Sequence, residues 1–114
     1  MDVVIRAYAV ASELPDPERR ELGAQIRRAA VSIPANIAEG HGRDHLGDYL
    51  RYLSIANGSL MELETLTLVA RRLGIAAYET ADGLLESTAE TGRMLSGLVR
   101  SLRRRLPRPR HPTP

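Results

Sequence analysis

The stretch that decides the fold is DHLGDYLRYLSIANGSLMELETLTLVARRL, residues 44–73. It contains no proline, and its apolar residues recur at steps of three and four, which indicates one long amphipathic helix. Asp44 is the predicted N-cap of this helix and Gly74 is predicted to end it. At a rise of ~1.5 Å per residue, the helix is expected to be about 43 Å long.

This helix carries two apolar stripes. The first consists of Leu46, Leu50, Leu53, Leu60 and Leu63. The second consists of Tyr52, Ile55, Ser59, Leu66, Val69 and Leu73. Together they cover roughly 240° of the helix circumference, whereas a helix buried on one side needs little more than ~100°. The surplus packs either under a loop or the first helix, or against a second copy of the chain. We favour the second copy, with an interface formed by Tyr52, Ile55, Leu66 and Val69.

Two helices are predicted before this stretch. The first spans residues 2–12 and ends before Pro15. The second begins at Glu18, carries Pro34 within it, and is expected to end at Gly40 and Gly42. A proline inside a helix removes a backbone donor, so we expect a kink at Pro34.

A fourth helix is predicted from Tyr78 to Arg105, before Pro107. Because the connections between the four helices are short, the sequence predicts an all-α, antiparallel up-down four-helix bundle, with a short first helix and a kinked second one. The bundle is assigned to residues 1–106. Residues 107–114 are rich in Pro and Arg and are assigned to a flexible tail.

Charge is distributed unevenly along the chain. Residues 1–99 hold 10 Arg and 14 acids, whereas residues 100–114 hold six Arg and no acid. Such a cluster binds phosphates with strong salt dependence and no preference for base sequence. The alternative is a solvated helix end whose cations suit the helix dipole, but that effect fades within the last turn. The predicted nucleic-acid-binding residues are Arg100, Arg103, Arg104, Arg105, Arg108 and Arg110.

A polar stripe lies beside the apolar face of the second helix. Its members, with the polar residues that the third helix adds, are Gln25, Arg28, Ser32, Asn36, Glu39, Ser59, Glu62 and Glu64. We expect these side chains to form a hydrogen-bonded network that fixes the register between the two helices. A ligand or nucleic-acid contact is the alternative.

The sequence predicts no enzymatic activity, no catalytic residue and no cofactor. Glu39, Glu62 and Glu64 have the chemistry of an acid/base pair, but no nucleophile motif or phosphate-binding loop accompanies them. His41 and His45 have the i, i+4 spacing of zinc ligands, yet the helix breaks between them, so no metal site is predicted. With no cysteine, no apolar run of ~20 residues and no signal peptide, the chain is expected to be cytoplasmic.

Two segments resemble the signatures of one protein family. They are QIRRAAVSIPANIAEG, residues 25–40, and YLRYLSIANGSLMELE, residues 49–64. The segments RRLG, residues 71–74, and GRMLSGL, residues 92–98, fit the same pattern. The chain resembles, over residues 8–104, the four helix bundle protein family, also called the 23S rRNA intervening-sequence protein family.

The resemblance implies a four-helix bundle that assembles into a cyclic homopentamer without known enzymatic activity. Members are encoded within intervening sequences of bacterial 23S rRNA genes. A structurally similar protein, the accessory subunit of diversity-generating retroelements, is a basic pentameric barrel that binds reverse transcriptase and nucleic acid. We therefore expect a homo-oligomeric protein that associates with RNA or DNA. The alternative is a protein-binding scaffold, such as an accessory subunit of a reverse transcriptase, without a direct nucleic-acid role.

The chain departs from the family at its start. Tyr8 stands seven residues before Pro15, as the tyrosine of the family's first helix does, but the family has further residues before it, including an aromatic anchor. Here the sequence starts at Met1. Either the start codon is misassigned or this member has only a short first helix, which is then expected to be much shorter than the third and to leave one end of the bundle uncovered.

Overall fold

Four α-helices make up the structure, a computed structural model that describes residues 2–107. They are α1 (Asp2–Glu13), α2 (Glu18–His41), α3 (Leu46–Arg72) and α4 (Tyr78–Arg103). The predicted all-α bundle is therefore confirmed. Most of the predicted tail, including Arg108 and Arg110, lies outside the described residues.

Sequence breakers set most of the helix ends. Pro15 and Pro17 lie between α1 and α2. Gly74 follows α3 with a φ of 71°, a left-handed conformation that glycine adopts without steric cost. Pro34 lies inside α2, which continues past it as an α-helix to His41, and the kink expected there stays a prediction.

Two residues predicted to mark helix ends do not do so. Gly42 follows the last residue of α2, as predicted, but Gly40 lies inside the helix, which continues to His41. Asp44 does not cap α3, because the backbone is still extended at His45, with φ −104° and ψ 132°, and no side chain caps the helix there. The aspartate is one residue too early to occupy the N-cap position.

Each helix packs against the next one in the chain, and α1 also packs against α4, so the four helices form a closed ring. The contacting pairs are Asp2–Ser87 and Glu13–Thr80 between α1 and α4, Ser32–Ser59 and Gly40–Tyr52 between α2 and α3, and Leu60–Gly92 and Arg71–Asp82 between α3 and α4. Within each of these three packed pairs of helices, residue numbers increase in opposite directions along the two helices. Neighbouring helices are therefore antiparallel there, as short connections require.

The two apolar stripes of α3 differ in how far they are exposed to solvent. Leu53, Leu60 and Leu63 of the first stripe are buried in the core. In the second stripe, by contrast, Ile55 is 43% exposed and Val69 is 41% exposed. The surplus apolar surface predicted for this helix is thus present as exposed side chains of the single chain.

The first helix is short, as the sequence predicted. It has 12 residues, whereas α3 has 27, so α1 is roughly 18 Å long and α3 about 40 Å. Because Asp2 at its start reaches only Ser87, α1 covers the first part of α4 and leaves the second part beyond it. None of the helices within residues 2–107 has a stretch apolar and long enough to cross a membrane.

Candidate nucleic-acid interface

Positive charge concentrates where α2 ends, α3 begins and α4 ends. This basic end, residues 39–51 and 100–107, holds six Arg and three acids. Its arginines are Arg43, Arg51, Arg100, Arg103, Arg104 and Arg105. The opposite acidic end, residues 13–21 and 71–82, holds four Arg and six acids. The charge asymmetry of the sequence is therefore also an asymmetry along the length of the bundle.

Close helix packing shapes the basic end. A Cβ atom added to Gly40 would lie 2.7 Å from Cβ of Tyr52 and 3.0 Å from Cδ1 of Tyr49, so only a glycine lets the two helices approach this far. The Arg43 guanidinium lies 4.9 Å from the centre of the Tyr52 ring and donates a hydrogen bond to its hydroxyl at 2.7 Å. Arg51 lies over the same ring at 5.2 Å. The tyrosine thus holds two of the six arginines in place.

The other four arginines come from the end of α4. Arg100 and Arg103 line a groove against α3, whereas Arg104 and Arg105 are exposed in the turn that follows the helix. Within residues 2–107, none of the four forms an ion pair with an acidic side chain. Their charge is therefore available to an external anion.

The groove between α3 and α4 contains two adjoining cavities. The cavity nearer the basic end has a volume of about 320 Å³. We name the two cavities together the α3/α4 groove. The residues that line it are Leu50, Leu53, Ser54, Asn57, Ala89, Gly92, Arg93, Leu95, Ser96, Val99, Arg100 and Arg103. Arg93 is not among the predicted site residues, although it stands seven residues before Arg100 and so shares its helix face.

The polar residues of α2 and α3 meet in part. The hydroxyl oxygens of Ser32 and Ser59 are hydrogen-bonded at 2.7 Å across the helix interface. The Asn36 amide donates to the Ser32 carbonyl oxygen at 2.7 Å and to its hydroxyl at 2.9 Å. Three further members line a small cavity beside the two serines, and these are Gln25, Arg28 and Glu62.

Two acidic members of the predicted network lie elsewhere. Glu39 pairs with Arg43 at the basic end. Glu64 is exposed, and because it stands two residues from Glu62 it points roughly 200° away around α3. The three carboxylates that could have formed an acid/base pair therefore do not converge.

The predicted oligomer interface is only partly exposed in the single chain. Tyr52 is half-buried between its arginines, and Leu66 is half-buried against the core. Ile55 and Val69 are exposed. Leu73 is exposed on the same side of α3 and completes an exposed apolar stripe with these two, whereas Met61 and Leu68 are exposed on the side of Asn57.

The two histidines lie at the connection between α2 and α3. The His41 ring packs edge-on against the ring of Tyr49, with 5.7 Å between the ring centres. His45 occupies the position before α3. Within the described residues, no three His, Cys, Asp or Glu side chains lie close enough together to hold a metal ion.

The fold is shared with a solved structure. A crystal structure of a protein from Bacteroides thetaiotaomicron, described as a protein with unknown function from the S23 ribosomal protein family, superimposes with a TM-score of 0.68. The two sequences are 22% identical, and the match covers 85% of this chain and 97% of the other, so the likeness shows a common fold.

The sequence itself matches one family model. Among the curated proteins compared with the chain, none matches it. The model of the 23S rRNA-intervening sequence protein family matches residues 1–97, which is most of the chain and includes both signature segments. The chain therefore belongs to the 23S rRNA-intervening sequence protein family.

Proposed function

We propose that this chain is a non-enzymatic, homo-oligomeric protein of the cytoplasm that binds the backbone of RNA or DNA through its basic end. The observation that carries the proposal is the group of four arginines, Arg100 and Arg103–Arg105, without ion pairs within residues 2–107. Arginine forms forked hydrogen bonds with phosphate oxygens, and each neutralised phosphate releases counterions. Binding by this end is therefore salt-dependent and independent of base sequence.

The oligomeric part of the proposal rests on α3. Its exposed apolar stripe consists of Ile55, Val69 and Leu73. Contiguous apolar surface of this kind is stabilised by a partner, and a second copy of the chain supplies one at equal concentration. A cyclic pentamer is the assembly that the family resemblance implies. In such a ring the basic ends of all protomers lie on one rim, so their phosphate contacts add.

The non-enzymatic part rests on the separation of the acidic groups. Glu39 is engaged by Arg43, Glu62 lines the cavity between α2 and α3, and Glu64 is exposed on a different face. General acid/base catalysis needs groups within hydrogen-bonding reach of one substrate. No such pair is formed by these three residues.

The experiment is a truncation that removes residues 103–114, compared with the full chain. Binding of a fluorescent oligouridylate is measured by anisotropy over a range of salt concentrations, and the mass is measured by light scattering with and without RNA. We expect weaker binding and a flatter dependence of log K on log salt, because five arginines are lost. Unchanged binding contradicts the nucleic-acid part, and a monomeric mass contradicts the oligomeric part.

The second candidate function is a protein-binding scaffold, such as an accessory subunit of a reverse transcriptase. The exposed apolar stripe of α3 favours it, because such a surface serves a foreign partner as well as a second copy. The same titration separates the two functions. A scaffold without a nucleic-acid role leaves the oligouridylate unbound even at low salt.

A further inference from the structure

Three arginines of α4 lie along one line. Arg93, Arg100 and Arg103 all line the α3/α4 groove, at separations of seven and three residues. At ~1.5 Å per residue, they span roughly 15 Å along the helix. This line begins well before the C-terminal cluster and extends down the flank of the bundle. The cations are therefore not confined to the tip of the basic end.

The groove presents donors to an anion and no carboxylate. Every charged side chain that lines its two cavities is an arginine. The remaining polar lining consists of Ser54, Asn57 and Ser96, whose hydroxyl and amide groups donate hydrogen bonds to phosphate oxygens in protein–nucleic acid complexes. The aliphatic floor includes Leu50 and Val99, both half-buried.

The positive line stops in the middle of the bundle. Glu90 is exposed three residues before Arg93 and therefore lies near the same helix face. Glu64 is exposed on α3 seven residues after Asn57, which places it further along the same edge of the groove. An anionic chain is attracted by the half of the groove nearer the basic end and repelled by the other half.

The size of the groove favours one strand. Neighbouring packed helices have axes ~8–10 Å apart, so the depression between them admits a single strand, whereas a duplex touches only its rims. A stacked strand advances ~3.4 Å per nucleotide, so the arginine line spans roughly four nucleotides. No aromatic side chain lines the two cavities, so base stacking, and the affinity it adds, is not available in them.

We infer that a single RNA or DNA strand lies lengthwise in the α3/α4 groove, with its phosphates on Arg93, Arg100 and Arg103. This inference rests on the proposed function and specifies its ligand and its path. The exposed residues Ile55 and Val69 point away from this groove, so the strand and the second copy of the chain occupy different faces of α3.

The first test adds a negative charge to the groove without removing an arginine. Ser96→Glu is compared with Ala9→Glu, because both residues are exposed on helices and both substitutions change the net charge equally. Binding of a labelled oligouridylate of about 20 nucleotides, longer than one site, is measured by anisotropy. We expect Ser96→Glu to weaken binding about tenfold and to reduce the salt slope by about one, while Ala9→Glu changes binding less than about twofold.

The second test compares single arginines. Arg93→Gln is expected to weaken binding more than Arg104→Gln, although Arg104 belongs to the C-terminal cluster and Arg93 does not. Circular dichroism checks that all four variants are folded, and unlabelled duplex RNA is expected to compete less well than unlabelled oligouridylate. Two results would show that the strand does not lie in the α3/α4 groove while leaving the proposed function intact. In the first, the parent binds but Ser96→Glu weakens binding no more than Ala9→Glu does. In the second, Arg104→Gln weakens binding more than Arg93→Gln does. If the parent does not bind at all, the proposed function itself fails.

Discussion

The two ends of the bundle hold their arginines in different ways. At the acidic end, Arg19 lies 3.1 Å from Asp16, and Arg71 lies 3.1 Å from Asp82, although the latter contact is not an aligned hydrogen bond. At the basic end, Arg43 pairs with Glu39, but the arginines of α4 form no ion pair within residues 2–107. Within the described residues, the acidic end pairs two of its four arginines and has more acids than arginines, whereas the basic end pairs one of its six arginines and has twice as many arginines as acids.

This difference does not stabilise the fold. Exposed ion pairs contribute about 0–1 kcal/mol each, so the pairs at the acidic end add little. Like charges three or four residues apart on a helix, such as Arg100 with Arg103, cost about 0.2–0.5 kcal/mol per pair. The basic end therefore carries a charge cluster that opposes folding slightly, and the proposed binding of nucleic acid would neutralise it.

The largest expected effect on stability comes from packing at the basic end. Gly40→Ala places a Cβ against the Cβ of Tyr52, an atom close to the α3 backbone that cannot move away cheaply. We expect a loss of about 1–3 kcal/mol in the free energy of unfolding, the usual cost of overpacking. Thermal denaturation then shows a melting temperature lower by roughly 4–12 °C.

Gly47→Ala is the matched control at the same end of the molecule. A Cβ added at Gly47 meets nothing within 4 Å, so the substitution is expected to leave the melting temperature unchanged or raise it slightly. Equal melting temperatures for Gly40→Ala and the parent contradict the close approach of α2 and α3 at the basic end.

An intermediate effect on stability is expected from the hydrogen bonds of Asn36, which lie in the middle of the bundle. Asn36→Ala removes the amide that donates to both the carbonyl and the hydroxyl of Ser32, and a typical cost is about 1 kcal/mol. Gln25→Ala is the control, because Gln25 is exposed and its change is expected to stay within about 0.5 kcal/mol. Urea denaturation measures both. If the two variants are equally stable, the hydrogen bonds from Asn36 to Ser32 do not stabilise the fold.

The smallest effect concerns pH at the start of α1. The Ser87 hydroxyl donates to the Asp2 carboxylate at 3.0 Å, and with the Arg6 contact at 2.9 Å it holds the pKa of Asp2 below its usual value. A carboxyl group whose pKa is lowered by folding stabilises the fold above its unfolded pKa and loses that contribution as pH falls through its folded pKa. The contribution of Asp2 is therefore present at neutral pH and fades in strong acid.

Asp2→Asn tests this directly, because it keeps the side-chain shape and removes the titration. We expect the stability difference between parent and variant to be small at neutral pH and to shrink as the solution is acidified below the usual pKa of an aspartate. Chemical denaturation at a series of pH values provides the measurement. A difference that stays constant down to the most acidic value excludes a role for the Asp2 charge.

Much of the fold was predictable because local signals decide it. Pro15, Pro17, Gly74 and Pro107 interrupt the helical pattern, and helix ends follow such breakers within a few residues. The wrong predictions at helix ends concern Gly40 and Asp44, and their causes are tertiary packing for Gly40 and local backbone geometry for Asp44. Gly40 reads as a stop signal, yet it is a glycine because Tyr49 and Tyr52 of another helix press against it, which no local pattern reveals.

The candidate site was predictable only in part. The charge count along the chain identified the cluster at the end of α4, because composition alone carries that information. Arg43, Arg51 and Arg93 were missed because they join the basic surface only when α2, α3 and α4 are packed. Arg93 could have been found from its seven-residue spacing to Arg100, which places both on one helix face.

The most direct test of the central claim compares the two ends by equal losses of charge. Arg100→Gln with Arg103→Gln is set against Arg20→Gln with Arg72→Gln, and all four side chains are exposed. Affinity for an oligouridylate is measured by anisotropy as a function of salt. We predict that the pair at the basic end lowers the affinity at least tenfold and reduces the salt slope by about one to two, while the pair at the acidic end leaves both nearly unchanged. Equal losses from the two pairs would contradict a basic end that binds nucleic acid.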